Sequence, residues 1–131
     1  MPELHNQDLT SSTYINIDFI YHIPEDIEGS KLNITFIHDE KMVKSFTLGW
    51  ANITLNAFID LLKDFPGEYT GEFTHSDESF GVQWVHEYGT GSFILYFEHQ
   101  SLFLPPLKTN KEFLLQFANE LEQAKLTAPS L

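Results

Sequence analysis

Six histidines, nineteen acidic side chains and no cysteine define the chemistry open to this chain of 131 residues. His38-Asp39-Glu40 and His75-Ser76-Asp77-Glu78 each set an imidazole beside carboxylates, the donor types of a divalent metal site. Neither has the helical H-E-x-x-H spacing or a Cys/His zinc pattern, and both read as acidic turns. No metal, cofactor or catalytic residue is therefore expected. His86-Glu87 joins a base to an acid, but neighbours on a strand point to opposite faces. Glu68, Glu72 and Glu87 hold the carboxylates from which a glycosidase pair is drawn, without a cleft signature. Gly89-Thr90-Gly91-Ser92 lacks the P-loop lysine and links two strands instead of opening a helix. No serine sits in a G-x-S-x-G elbow. Asn33-Ile34-Thr35 and Asn52-Ile53-Thr54 match the glycosylation acceptor by accident of sequence.

Charge narrows the partners. The net charge is -12, and all seven basic residues are lysine. Without arginine the chain lacks the planar fork suited to carboxylate and phosphate. Nucleic acid and anionic membranes would be repelled at long range. A basic protein would be steered in, fastest at low salt. The first residues, MPELHNQDLTSST, lack the basic and apolar regions of a secretory signal, and the expected location is the cytoplasm. No apolar run reaches the ~18 residues of a membrane span.

The elements that must position these groups follow from periodicity. Tyr14–Ile23 alternates, with Ile15, Ile17, Phe19, Tyr21 and Ile23 on one face. Lys31–His38 and Met42–Leu48 alternate likewise, joined by a turn at Asp39-Glu40-Lys41. Thr54 reads as an N-cap, followed by Leu55, Phe58, Ile59, Leu62 and Phe65 at helical spacing. Pro66-Gly67 ends that helix. Glu68–His75 is a fourth strand, Ser76–Ser79 a polar turn, and Gly81–His99 a hairpin. Thr109-Asn110-Lys111-Glu112 has the form of a capping box, before a helix burying Leu114, Phe117, Ala118 and Leu121. The order βββαβββα predicts an α+β fold. It is a mostly antiparallel sheet of about six strands with two helices on one face. Whether the two sets of strands form one sheet or two stays open. Residues 1–131 read as one domain, with flexible segments at 1–12 and 127–131.

Register sorts the hairpin. With Gly89-Thr90 at the turn, His86 faces Phe93, Trp84 faces Leu95 and Val82 faces Phe97. Extended to the fourth strand, Phe73 opposes Val82 and Gly71 opposes Trp84, leaving room for the indole. The inner face becomes Tyr69, Phe73, Val82, Trp84, Phe93, Leu95 and Phe97. The outer face collects Glu68, Glu72, Glu87 and Glu98 around Val85, Ile94 and Tyr96. Glu68 would lie opposite Glu87, a like-charge pair that destabilises a sheet unless solvated or used. An apolar strip bordered by carboxylates suits docking by a basic protein.

In that strip, and in the acidic loops Glu25-Asp26-Ile27-Glu28 and Asp39-Glu40, the chain resembles the small acidic immunity proteins of bacterial contact-dependent inhibition and related polymorphic toxin systems. The likeness is one of type, with no diagnostic motif, and no family residue carries over. It implies a non-catalytic cytoplasmic protein that neutralises one cognate toxin domain, often a nuclease, by covering its active site. Two other classes fit the same residues. One is a small enzyme or ligand-binding domain with a pocket near His86, Tyr69 and Trp84. The other is a homodimeric adaptor that uses the outer strip as its contact.

Overall fold

The computed structural model describes residues 2–8, 12–25, 28–65, 70–74, 80–87, 89–100 and 102–130. Within these, β1 (Glu3–His5), β2 (Tyr14–His22), β3 (Gly29–His38) and β4 (Lys41–Ala51) precede α1 (Asn52–Lys63). Then come β5 (Thr70–Thr74), β6 (Phe80–Glu87), β7 (Ser92–His99), β8 (Leu102–Phe103), β9 (Leu107–Asn110) and α2 (Lys111–Thr127). The fold is α+β and its strand pairs are antiparallel. The six strands expected from alternation are present in the expected order, and β1, β8 and β9 are short additions at sheet edges. Among the described residues no helix is long and apolar enough to cross a membrane.

The strands form two sheets. The first runs β1-β2-β3-β4; the second runs β5-β6-β7, with β8 and β9 pairing with successive stretches of β7. Each has one apolar face, and these faces meet. Phe36 on β3 lies 6.3 Å from Phe97 on β7, and Phe46 on β4 lies 5.8 Å from Phe80 on β6. The helices join the same core. Leu55, Phe58, Ile59 and Leu62 are the buried apolar stripe of α1, as the spacing predicts. Phe58 reaches both Trp50 (5.4 Å) and Phe73 (5.3 Å), and Phe65 reaches Trp84 (4.7 Å). The expected stripe Leu114, Phe117, Ala118 and Leu121 is the buried face of α2.

The N-terminal residues expected to be flexible instead supply β1, whose Leu4 is only 1% exposed. Its outer edge is closed by α2, where Glu120 Oε1 accepts from the Glu3 N–H (3.2 Å). The chain then ties the two sheets together. Gln7 N–H donates to the Lys108 carbonyl (2.7 Å), and Lys108 N–H donates to Asn6 Oδ1 (2.7 Å). At the other end, the C-terminal segment is held where His22 N–H donates to the Pro129 carbonyl (2.9 Å).

Three local expectations are corrected. A bulge between Phe19 and Tyr21 breaks the alternation of β2, so Tyr21 pairs with Lys31 and His22 with Ser30. Tyr21 thereby leaves the face of Phe19, and His22 turns inward in its place. Helix α1 starts at Asn52, not after Thr54, and no side chain caps it. Its Asn52 N–H donates to the Glu28 carbonyl instead (2.9 Å). The second helix is capped by Asn110, whose Oδ1 accepts from Phe113 N–H (2.9 Å). Thr109 cannot serve as the cap because it is buried opposite Phe93 as the last inward residue of β9. The Pro66-Gly67 stop, Tyr69 and the Ser76–Ser79 turn lie outside the described residues.

Asn52 is the polar keystone of the first sheet. Its Nδ2 donates to the carbonyls of Ile23 and Glu25, both at 2.7 Å. Its Oδ1 must then accept from Ser30 Oγ (3.0 Å), which leaves Ser30 to accept from His22 Nδ1 (2.7 Å). The chain of donors assigns the Nδ1–H tautomer to His22. Asn52→Ala removes three hydrogen bonds of a buried side chain at once and should cost about 2–4 kcal/mol in urea unfolding. Asn110→Ala, the loss of one cap, should cost about 1 kcal/mol.

The hairpin register is the expected one: His86↔Phe93, Trp84↔Leu95 and Val82↔Phe97, with Gly71↔Trp84 and Phe73↔Val82 beyond. A Cβ on Gly71 would stand 2.2 Å from the Trp84 ring, well inside contact distance. Gly71→Ala should therefore destabilise the protein by roughly 1–3 kcal/mol. Combined with Trp84→Phe, the two costs should be clearly sub-additive in the same unfolding assay, because the smaller ring removes the clash.

Candidate docking face on the second sheet

Strand pairing assembles the outer face row by row. Glu72 on β5 stands beside Gln83, and Gln83 beside Tyr96 on β7. Thr70, Val85, Ile94 and Lys108 make the next row. Glu87, Ser92 and Asn110 follow. At the other end lie Gly81, Glu98 and Phe103. Val85, Ile94, Tyr96, Glu87 and Glu98 are half-buried and Glu72 is exposed. Six of the seven residues expected on this strip thus share one surface. The seventh, Glu68, lies outside the described residues, as does its expected opposition to Glu87.

Two members of the face escaped sequence reasoning. Phe103 pairs with Glu98 on β8 and is 55% exposed, a large aromatic surface open to solvent. Lys108 on β9 reaches across β7, and its Nζ donates to Glu87 Oε1 (3.1 Å). That hydrogen bond, with the attraction of the ammonium, holds the Glu87 carboxyl below the usual carboxylate range. Thr90 Oγ1 adds a weaker contact to the same oxygen (3.3 Å). Glu87 is therefore neutralised within the protein. Glu72 and Glu98 take part in no ion pair among the described residues. Beside Glu72 a shallow depression of about 410 Å³ opens, walled by Gln83, Val85 and Tyr96.

Groups considered for catalysis do not converge. The His86 ring stacks on Phe93 at 4.6 Å, and Trp84 is 4% exposed within the core. Glu72 and Glu87 belong to rows four residues apart along β6, roughly 13 Å of strand, beyond a glycosidase pair. His38 Nδ1 is engaged by Thr13 Oγ1 (2.9 Å), and its Nε2 lies 3.4 Å from Asp39. Among the described residues no group of three or more His, Asp or Glu could hold a metal ion. The His75–Glu78 turn lies outside them.

The inner side of β7 ends in a histidine with a different role. His99 is 8% exposed and stacks on Phe46 at 3.7 Å, with no hydrogen-bond partner for Nδ1 among the described residues. Burial, then the nearby Lys44 charge, lowers its pKa from 6.5. His22 is lowered in the same direction by burial and then Lys125. The unfolded chain takes up these protons at higher pH than the folded one. Their contribution to stability is therefore full at neutral pH and is lost as pH falls below about 6.5. His99→Leu should flatten the decline in unfolding midpoint between pH 7 and 5, while the wild type keeps a measurable slope. The carboxylates Glu87 and Glu122, both lowered, act in a lower window, below about 4.5.

Compared with known proteins, the chain matches no family model and no curated sequence.

Proposed function

We propose that the chain is a non-catalytic acidic binding protein of the immunity type, which docks a basic toxin domain on the outer face of the second sheet. The observation that carries this reading is one surface on which Val85, Ile94 and Tyr96 form an apolar centre, Phe103 adds exposed aromatic surface at one end, and Glu72 and Glu98 take part in no ion pair among the described residues. The rest of the chain adds to the attraction, with a net charge of -12. A nuclease toxin presents cations where it expects phosphates. Carboxylates on a rigid sheet would take the place of those phosphates and block the substrate site. The rim would set the encounter rate, and the aromatic centre, once desolvated, the lifetime of the complex. The cytoplasm is the compartment in which such a protein would meet its toxin.

The chain, used as bait in lysate of the source organism, should retain one basic protein in one-to-one ratio. Association should be faster at low salt. Glu72→Gln with Glu98→Gln should slow association several-fold and flatten its salt dependence, whereas Glu87→Gln should do less because Lys108 already neutralises that carboxylate. Phe103→Lys should speed dissociation at least about tenfold. A basic partner whose rates ignore all of these changes would remove the docking face from consideration.

A further inference from the structure

Strand β4 ends the first sheet, and its one strand partner among the described residues is β3. A single hydrogen bond shows which of its main-chain groups are free. Asn52 N–H donates to the Glu28 carbonyl (2.9 Å), so position 52 faces β3. The direction of N–H and C=O alternates along an antiparallel strand. Leu48 and Trp50 therefore bond β3, and the main-chain groups of Ser45, Thr47, Gly49 and Ala51 point out from the sheet edge. Among the described residues no other element bonds them.

Sheet edges are usually guarded by charge, proline or a bulge. On β4 the guards stop halfway. Lys41, Lys44 and the register shift opposite Phe36 and Ile37 protect its start. The run Ser45-Phe46-Thr47-Leu48-Gly49-Trp50-Ala51 has no charge, no proline and no shift of register. Ser45, Thr47, Gly49 and Ala51 are exposed, and a Cβ on Gly49 would meet nothing within 4 Å. Apolar surface brackets the run, with Met42 (66% exposed) and Val43 (45%) before it and Ile53 (65%) after it.

We propose that a second copy of the chain pairs here, β4 against β4 and antiparallel, with Leu48 at the two-fold axis. In this register Thr47 meets Gly49 of the second copy and Ser45 meets Ala51, so the outward main-chain groups bond one another in both directions. Phe46 meets Trp50, which keeps the inward parity of both strands. The bracketing apolar residues then cover each other, because Val43 arrives beside Ile53 at the start of the second copy's α1. Charge selects the same register. Lys44 arrives opposite Asn52 of the second copy, one strand from the exposed Glu28. Within one chain Lys44 and Glu28 lie at opposite ends of β4, roughly 26 Å apart along the strand, and neither has an ion pair among the described residues. Across the axis they stand two strands apart, about 10 Å between Cα atoms, a span their long side chains can bridge. The strand itself carries two lysines and no carboxylate, so chains of net charge -12 would meet where the local charge is not negative. The pairing stands independently of the docking face, which lies on the other sheet.

Sedimentation equilibrium of the full chain tests it, at about 0.3 M salt so that repulsion between the acidic chains is screened. A reversible monomer–dimer equilibrium in the micromolar range is expected. Thr47→Pro should abolish the dimer and leave a folded monomer, because the N–H it removes points away from β3. Lys44→Glu and Glu28→Lys should each weaken dimerisation at least about tenfold, since each sets like charges together twice about the axis. Combined in one chain, the two reversals should restore it, and this swap tests the register even where the proline variant does not fold. Phe103→Lys, on the other sheet, should leave the dimer unchanged. A chain that stays monomeric throughout would overturn the proposal. So would a dimer that persists in folded Thr47→Pro, one indifferent to the single charge reversals, or one that the double reversal fails to restore. A dimer dissolved by Phe103→Lys would also overturn it, since the outer face of the second sheet would then be the contact.

Discussion

Phe80 stands where the two sheets meet. Its ring lies 5.8 Å from Phe46 and 5.9 Å from Trp50 on β4, and stacks on Phe97 at 5.9 Å. Trp50 in turn touches Phe58 of α1 and Phe73 of β5. Aromatic rings at these separations contribute through burial and through edge and offset contacts. This one cluster joins both sheets and the first helix, so the fold is held mainly from the inner faces. The outer face of the second sheet can then carry carboxylates and an exposed phenyl ring. Its backbone geometry is set from beneath, by side chains of the opposite parity on the same strands.

Gly71 shows how close that coupling is. The indole of Trp84 occupies the space a side chain would need at Gly71, and so the edge strand β5 lies directly against the core. Glu72, the next residue, points the other way by strand alternation. A packing demand on the inner face thereby places a charged group on the outer one, one peptide unit away.

Much of this was legible from the order of residues because alternation and helical spacing are dense here. The hairpin register and the opposition of Gly71 to Trp84 followed from parity, and both buried helical stripes from helical spacing. Parity failed where backbone irregularity intervened. The bulge at Ile20 adds one residue to β2, and nothing in Tyr14–Ile23 marks where the count slips. Cap assignment failed where tertiary partners replaced local ones. Helix α1 begins two residues before the expected cap Thr54, where Asn52 bonds the Ile23 and Glu25 carbonyls, and Thr109 is claimed by the core. The short strands β8 and β9 bracket Pro105-Pro106, too brief to show a period. Phe103 and Lys108 therefore escaped notice, although both belong to the face. Phe103 reaches the face through a tight hairpin of β8 on β7, and Lys108 through the pairing of β9 with β7 beyond the two prolines, neither of which a period reveals.

The few cations explain which acidic groups stay available. Lys108 on β9 reaches across β7 to Glu87 on β6. Lys63 and Lys125 both pair with Glu122, and Lys125 Nζ also donates to Asn56 of α1 (3.0 Å), so these cations lie at the contact of the two helices. Cations placed at joints between elements offset local repulsion where the elements must approach. Glu72, Glu98, Asp18 and Glu120 receive no such partner among the described residues. In a chain with nineteen acids and seven lysines, most carboxylates must go without. Glu72 and Glu98 are distinguished by their setting, since both border the apolar surface of Val85, Ile94, Tyr96 and Phe103, which would be desolvated with them if the proposed partner docks. Desolvation strengthens the attraction between a carboxylate and an incoming cation and penalises any ligand that lacks one. The same carboxylate on an ordinary wet face would discriminate little. On the proposed docking face selectivity would thus come from apolar neighbours held in place by the aromatic core beneath, with the charge supplying direction.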